Sequence, residues 1–156
     1  MPVKLHPGIG IEPHLRFGVT RESLVAVLGQ PTRVVTLDPH HHDARDQLEY
    51  DELQVSLRFY DDRLAWIETE NPVVEWRGQR LIGLGTPKAL QLADEAGLGA
   101  PEVTDHTSFT VLFWGAAWLE LQCSYARVRR IQVGVLIDSK TDDYVWPPDG
   151  RLWEDA

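Results

Sequence analysis

Two stretches of this chain carry the same alternation of apolar and polar residues, and no other feature limits the fold as strongly. Residues 48–68 read LEYDELQVSLRFYDDRLAWIE, and residues 112–132 read LFWGAAWLELQCSYARVRRIQ. Laid over one another without gaps, they match Leu48 with Leu112, Tyr50 with Trp114, Val55 with Leu119 and Leu57 with Leu121. Arg63 then meets Arg127, Leu64 meets Val128 and Ile67 meets Ile131. On an extended chain Val55, Leu57 and Phe59 point one way, as do Leu119, Leu121 and Cys123. Each run therefore reads as strands with one buried face. The links Tyr60-Asp61-Asp62-Arg63 and Ser124-Tyr125-Ala126-Arg127 read as tight hairpin turns.

A helix start precedes each run. In FGVTRESLVAVLGQP (17–31), Thr20 stands where an N-cap belongs and Glu22 suits the positive end of the helix dipole. Leu24, Val27 and Leu28 form its apolar stripe, and Gly29 and Pro31 end it. In LGTPKALQLADEAGLGAP (84–101), Thr86 is placed to cap and Pro87 fits the first helical position. Ala89, Leu90 and Ala93 supply a buried face, closed by Gly97 and Pro101. A leading strand is expected before each helix, in IGIEPHLRF (9–17) and VVEWRGQRLI (73–82). The expected fold class is α+β: two tandem strand-helix-three-strand repeats packing into one antiparallel-sheet structure with helices on one face. The repeats span 9–72 and 73–136, followed by a C-terminal tail, 137–156. Each unit alone would bury too little apolar surface to be stable, so the two are expected to form a single domain.

The segment FGVTRESLVAVLGQP is similar to the opening of small α+β modules with a G-M-T-x-x-E-V-x-x-x-L-G-x-P signature. These include the outer-membrane assembly lipoproteins (BamE/SmpA) and, in tandem form, the β-lactamase inhibitory proteins. Gly18, Thr20, Leu24, Leu28, Gly29 and Pro31 carry the resemblance; Val19 replaces the usual Met. The chain also resembles a broad group of bacterial two-module proteins with the run G-L-x-V-x-F-D-x-D-G-x-L-x-x-I-E. That run lies here at Glu52 to Phe59 and on through Ile67-Glu68. The resemblance covers most of residues 9–136 and implies a fold; it carries no catalytic residues. With no lipidation cysteine near the N-terminus, an outer-membrane lipoprotein role is not expected.

Composition narrows the function classes. A formal net charge of −9 repels phosphate backbones and argues against nucleic-acid binding. It favours a monomer or small homo-oligomer, and attracts a basic protein partner. Cys123 is the single cysteine, which rules out an intrachain disulfide and a thiolate metal cluster. With no signal-peptide pattern and no membrane-length apolar run, the expected location is the cytoplasm.

The catalytic candidates each have a simpler reading. Cys123 falls on the apolar side of its strand, where it reads as a small core residue. No nucleophile elbow, phosphate-binding glycine loop or HExxH helix is present. Asp61-Asp62 fits a hairpin tip, and Arg127, Arg129 and Arg130 lack the aromatic interleaving of a nucleic-acid site. No enzyme and no cofactor are expected.

Two features remain. Six tryptophans is a high count for this length. Trp66 and Trp118 are out of phase with the apolar side of their strands, which places them on the opposite face beside Tyr60, Arg58, Arg130 and Glu120. Trp, Tyr and Arg are enriched at interface hot spots. The leading expectation is a non-enzymatic protein-binding module, an inhibitor or immunity protein, that binds a basic partner through this aromatic sheet face. The competing reading has the tail DYVWPPDGRLW (143–153) fold back and cover these rings with Tyr144, Trp146 and Trp153. The second feature is DPHHHDARD (38–46). His40 and His42 share a side of an extended chain, and Asp43 adds a third potential ligand. The alternative function is therefore a small metal-dependent enzyme or metal-binding protein using this loop.

Overall fold

The computed structural model describes residues 3–148. In chain order the elements are β1 (Val3–His6), β2 (Gly10–Ile11), β3 (Leu15–Arg16), α1 (Arg21–Leu28), β4 (Arg33–Thr36), β5 (Asp46–Tyr50), β6 (Val55–Tyr60) and β7 (Arg63–Thr69). Then follow β8 (Val74–Trp76), β9 (Gln79–Arg80), α2 (Thr86–Glu95), β10 (Glu102–Asp105), β11 (Thr110–Trp114), β12 (Leu119–Ser124) and β13 (Arg127–Gly134). A short hairpin of β14 (Leu136–Ile137) and β15 (Tyr144–Val145) ends the described chain.

Strands β4–β7 and β10–β13 form one eight-stranded sheet in the order β10-β11-β12-β13-β7-β6-β5-β4. Every pairing in it is antiparallel. The two halves join at β7 and β13, where Glu68 lies opposite Gln132 and Ile67 opposite Val133. The alternation read from the sequence sets the core. Leu48, Leu57, Leu64 and Ile67 of one half, and Leu112, Leu121, Val128 and Ile131 of the other, fall in one buried cluster. Cys123 is buried with them.

The expected α+β architecture is overturned: the fold is predominantly β. The leading segments do not enter the large sheet. Residues 9–17 break at Pro13 into β2 and β3, and residues 73–82 break at Arg77-Gly78 into β8 and β9. With β1 these fragments form a separate five-stranded sheet, ordered β3-β2-β1-β8-β9. That sheet, not a layer of helices, provides most of the second layer. Leu5, Ile11, Leu15, Val74 and Trp76 join the common cluster, together with the flanking Phe17 and Leu81. Helix α1 adds only Leu24, and α2 adds Ala89, Leu92 and Ala93. Strand β8, at the start of the expected second repeat, pairs in parallel with the N-terminal β1. Each half gives four strands to the large sheet rather than three, because β4 and β10 extend it on either side.

The local signals are met with one shift. Thr20 caps α1, its Oγ1 accepting from the Ser23 amide at 3.2 Å, and Gly29 ends the helix with φ 84°. The cap of α2 is Gly85, one residue before the expected Thr86, and no side chain bonds the free amides there. Both hairpin links have positive φ at their two central residues, the twist that matches paired strands. No described helix is long and apolar enough to cross a membrane.

Candidate functional site on the open sheet face

The face of the large sheet opposite the core is half-buried and largely polar. Reading across it, one row takes a residue from each strand: Arg33, Glu49, Ser56, Glu68, Gln132, Glu120, Phe113 and Glu102. A neighbouring row runs Gln47, Arg58, Trp66, Gly134, and Trp118 follows beside it.

The six residues expected to form a binding face separate into two groups. Arg58, Trp66 and Tyr60 are held internally. Trp66 is only 4% exposed, which corrects its expected exposure, yet it lies outside the main core cluster. The Arg58 guanidinium sits 4.0 Å from its ring centroid, a cation–π contact that caps the indole. Arg58 is itself oriented by Gln47 Oε1 at 2.9 Å and lies 3.3 Å from His42 Nδ1. Tyr60 packs at a tilt against Tyr144, ring centroids 5.3 Å apart, and the Tyr144 hydroxyl donates to Asp43 Oδ2 at 2.9 Å. Burial, first, and the Asp43 carboxylate raise the Tyr144 pKa well above the ordinary phenol. Trp146 lies 5.6 Å from Tyr144 with Arg63 over its ring. The loop 38–45 and the β14–β15 hairpin thus meet at Tyr60, where Tyr144 and Trp146 pack against one another rather than on the Trp66 or Trp118 ring. Trp153 lies outside the described residues.

The histidine loop is part of that contact. His42 faces Arg58, Asp43 accepts from Tyr144, and His40 is exposed, its amide bonded to Asp38 Oδ1. The loop does not gather His40, His42 and Asp43 into a ligand set. Among the described residues no group of three or more His, Cys, Asp or Glu side chains is placed to hold a metal ion. Sequence spacing put two imidazoles on one side of an extended strand. The chain instead turns here, with the His41 and His42 amides both bonded to the Asp38 carbonyl.

Trp118, Glu120 and Arg130 form the second group. Trp118 is not on a strand; it ends a 3-10 turn in the left-handed region with φ 45°. Its indole lies over Gly134, where even a Cβ would come within 2.7 Å of the ring. Phe113 meets Trp118 edge to face at 5.5 Å. Glu120 stands directly opposite Phe113 and is half-buried. Burial, then the nearby Glu68 charge, pushes its pKa above the ordinary 4.5. Arg130 is spoken for, with its Nε 3.0 Å from Glu68 Oε1 and its Nη2 donating to Glu70 at 2.9 Å. Glu68 also sits above its ordinary value because burial outweighs Arg130 and Arg58.

Between the Arg130 pairs and an Arg33 pair to Glu49 and Asp51 lies a groove of about 330 Å³, floored by Ser56 and Glu68. Four carboxylates face two arginines there. Sequence reasoning missed Phe113, Gln132 and Gly134, all on the same face. Phe113 was legible, being out of phase with Leu112 and Trp114; Gly134 was not, because its meaning depends on Trp118 folding over it.

No family model matches this chain, and no curated protein matches it. Among solved structures it is similar to an extracellular SCP-domain-containing protein from Bacillus anthracis. The TM-score is 0.48 and the identity 13%, covering 88% of this chain and 50% of that one. The chain thus spans about half the length of that protein.

Proposed function

We propose that this chain is a non-enzymatic protein-binding module, of inhibitor or immunity type, that captures a basic partner on the open part of its large sheet. The observation that carries this reading is Glu120. It is a half-buried carboxylate, carried above its ordinary pKa, with a second carboxylate as its charged influence and the Phe113–Trp118 pair beside it. An incoming Lys or Arg side chain relieves that unfavourable electrostatic environment by supplying an opposite charge, and gains ring contact with Trp118 or Phe113. The groove's excess of carboxylates and the overall charge of −9 draw the same kind of partner. The original six-residue surface is narrowed to Trp118, Glu120 and the paired Arg130, with Phe113 added. Trp66, Tyr60 and Arg58 act as a rigid border.

The test is a partner purified with this chain from its native cells, titrated by calorimetry against wild type, Glu120→Gln and Trp118→Ala at low and high salt. The expected outcome is binding that weakens roughly tenfold or more in Glu120→Gln and falls with salt, while that variant melts no lower than wild type. An acidic partner, or affinity unchanged in both variants, would sink the proposal.

A further inference from the structure

We propose that a second copy of this chain pairs antiparallel with the free edge of β4, so that one sheet runs through both copies about a two-fold axis. Among the described residues the large sheet has two open edges, β4 and β10, and all four residues of each are exposed. An exposed edge invites strand pairing, and proteins that stay single guard it with charge, proline or a covering segment. The two edges differ in that protection.

Strand β10 reads Glu-Val-Thr-Asp, preceded by Pro101. Two such edges would crowd four carboxylates into one ribbon, with no cation on the strand to offset them. Strand β4 reads Arg-Val-Val-Thr. Its one charge is turned away: Arg33 bonds back to Glu49 at 3.0 Å and to Asp51 at 2.9 Å, both of its own copy. Two adjacent valines remain, Val34 at 55% and Val35 at 39% exposure.

The register follows from the ladder. The Leu37 amide donates to the Arg45 carbonyl, and Val35 lies opposite Gln47, so residues 35 and 37 turn their backbone groups inward to β5. Val34 and Thr36 therefore present their N–H and C=O groups outward. A two-fold axis perpendicular to the sheet through Val35 sets Val34 opposite Thr36 of the second copy, closing backbone hydrogen bonds. Val35 then meets its own equivalent on the open face. That pairing is isologous and closes at two copies, whereas β4 on β10 would run on without end. Four residues a side bury little surface, so the dimer is weak and concentration-dependent.

The test is analytical ultracentrifugation of the intact chain from low micromolar to about 500 µM, a range that brackets weak association. Native-state hydrogen exchange is read over the same range. The wild type is expected to dimerise, with the Val34 and Thr36 amides slowing as concentration rises and the β10 amides unchanged. Val35→Lys abolishes the dimer, and Thr36→Pro, which removes only an outward N–H, does the same. Val103→Lys on the other edge leaves it intact. Circular dichroism and melting confirm that each variant is folded. A wild type that stays monomeric throughout overturns the proposal, as does a dimer that survives Val35→Lys and Thr36→Pro in folded protein or is lost in Val103→Lys.

Discussion

The two halves of the large sheet share a backbone plan in unusual detail and differ in what they show to solvent. Both hairpins shift register at matching places, between Arg58 and Phe59 and between Gln122 and Cys123. Both helices are tied to the following hairpin alike: the Arg21 amide donates to Asp62, and the Thr86 amide to Ala126. Tyr50 and Trp114 even send the same kind of bond, from Oη to the Gly29 carbonyl at 2.8 Å and from Nε1 to the Gly99 carbonyl at 3.0 Å. On the open face the equivalence ends. Ser56 stands where the other half has Glu120, Glu49 where it has Phe113, and Trp66 where it has Arg130. Backbone and core positions answer to the same packing demand in both halves. The open-face positions answer to it only where a side chain covers them, as Arg58 does at Trp66.

Truncations in the shared core should cost the most. Leu57→Ala and Leu121→Ala remove equivalent, fully buried side chains, and each is expected to cost about 2–5 kcal/mol by urea unfolding. Because both contribute to one cluster, each should lower a single transition; two separate transitions would mean the halves are independent.

Gly134→Ala comes next, at about 1–3 kcal/mol, since its Cβ meets the Trp118 ring at 2.7 Å and the indole must shift. Trp118 fluorescence should change with it, while Ala at the exposed Glu70 moves stability by less than about 0.5 kcal/mol. Tyr50→Phe is expected to cost about 1 kcal/mol for the lost bond to Gly29, a cost that vanishes if the phenol is not buried enough to need it.

The hairpin tips sharpen the contrast on a smaller scale. Asp61-Asp62 tolerates positive φ better than Tyr125-Ala126, where Tyr125 is 93% exposed and packs on nothing that would compensate. Ala126→Gly should therefore stabilise by about 0.5–1 kcal/mol, and Asp62→Gly by less.

Glu120→Gln is the smallest and the most diagnostic. Folding raises this carboxyl's pKa above 4.5, so between that value and the folded one the native state holds more protons than the unfolded chain. Stability then falls as pH rises through the window. The variant should melt slightly higher than wild type at neutral pH, and the difference should disappear below the ordinary carboxylate range. A lower melting point at neutral pH would mean that Glu120 is structural rather than held for a partner.

How much was legible follows from which forces act locally. The period-two runs, the Thr20 cap and both hairpin turns were readable because each depends on residues close in sequence. The fate of 9–17 and 73–82 was not, because Pro13 and Arg77-Gly78 leave strands too short to choose a partner by themselves. They form local hairpins that meet on either side of β1, and the β1–β8 pairing that joins them is a long-range decision. The open face was half legible. Alternation placed Trp66, Arg58, Glu120 and Arg130 on it, but period says nothing about what folds above. Arg58 covers Trp66 and is itself met by His42 of the 38–45 loop, whereas Glu120 stays half-buried beside Phe113.

By itself the sequence determined the core face of β5, β6, β11 and β12, both hairpin turns and the approximate helix starts, since side-chain direction alternates along a regular strand whatever it pairs with. The tertiary structure alone decided the eight-stranded order, the second sheet in place of a helical layer, and the full burial of Trp66 against the half-burial of Glu120. Those depend on distant segments meeting, and the gain from such contacts is written in no single stretch of chain.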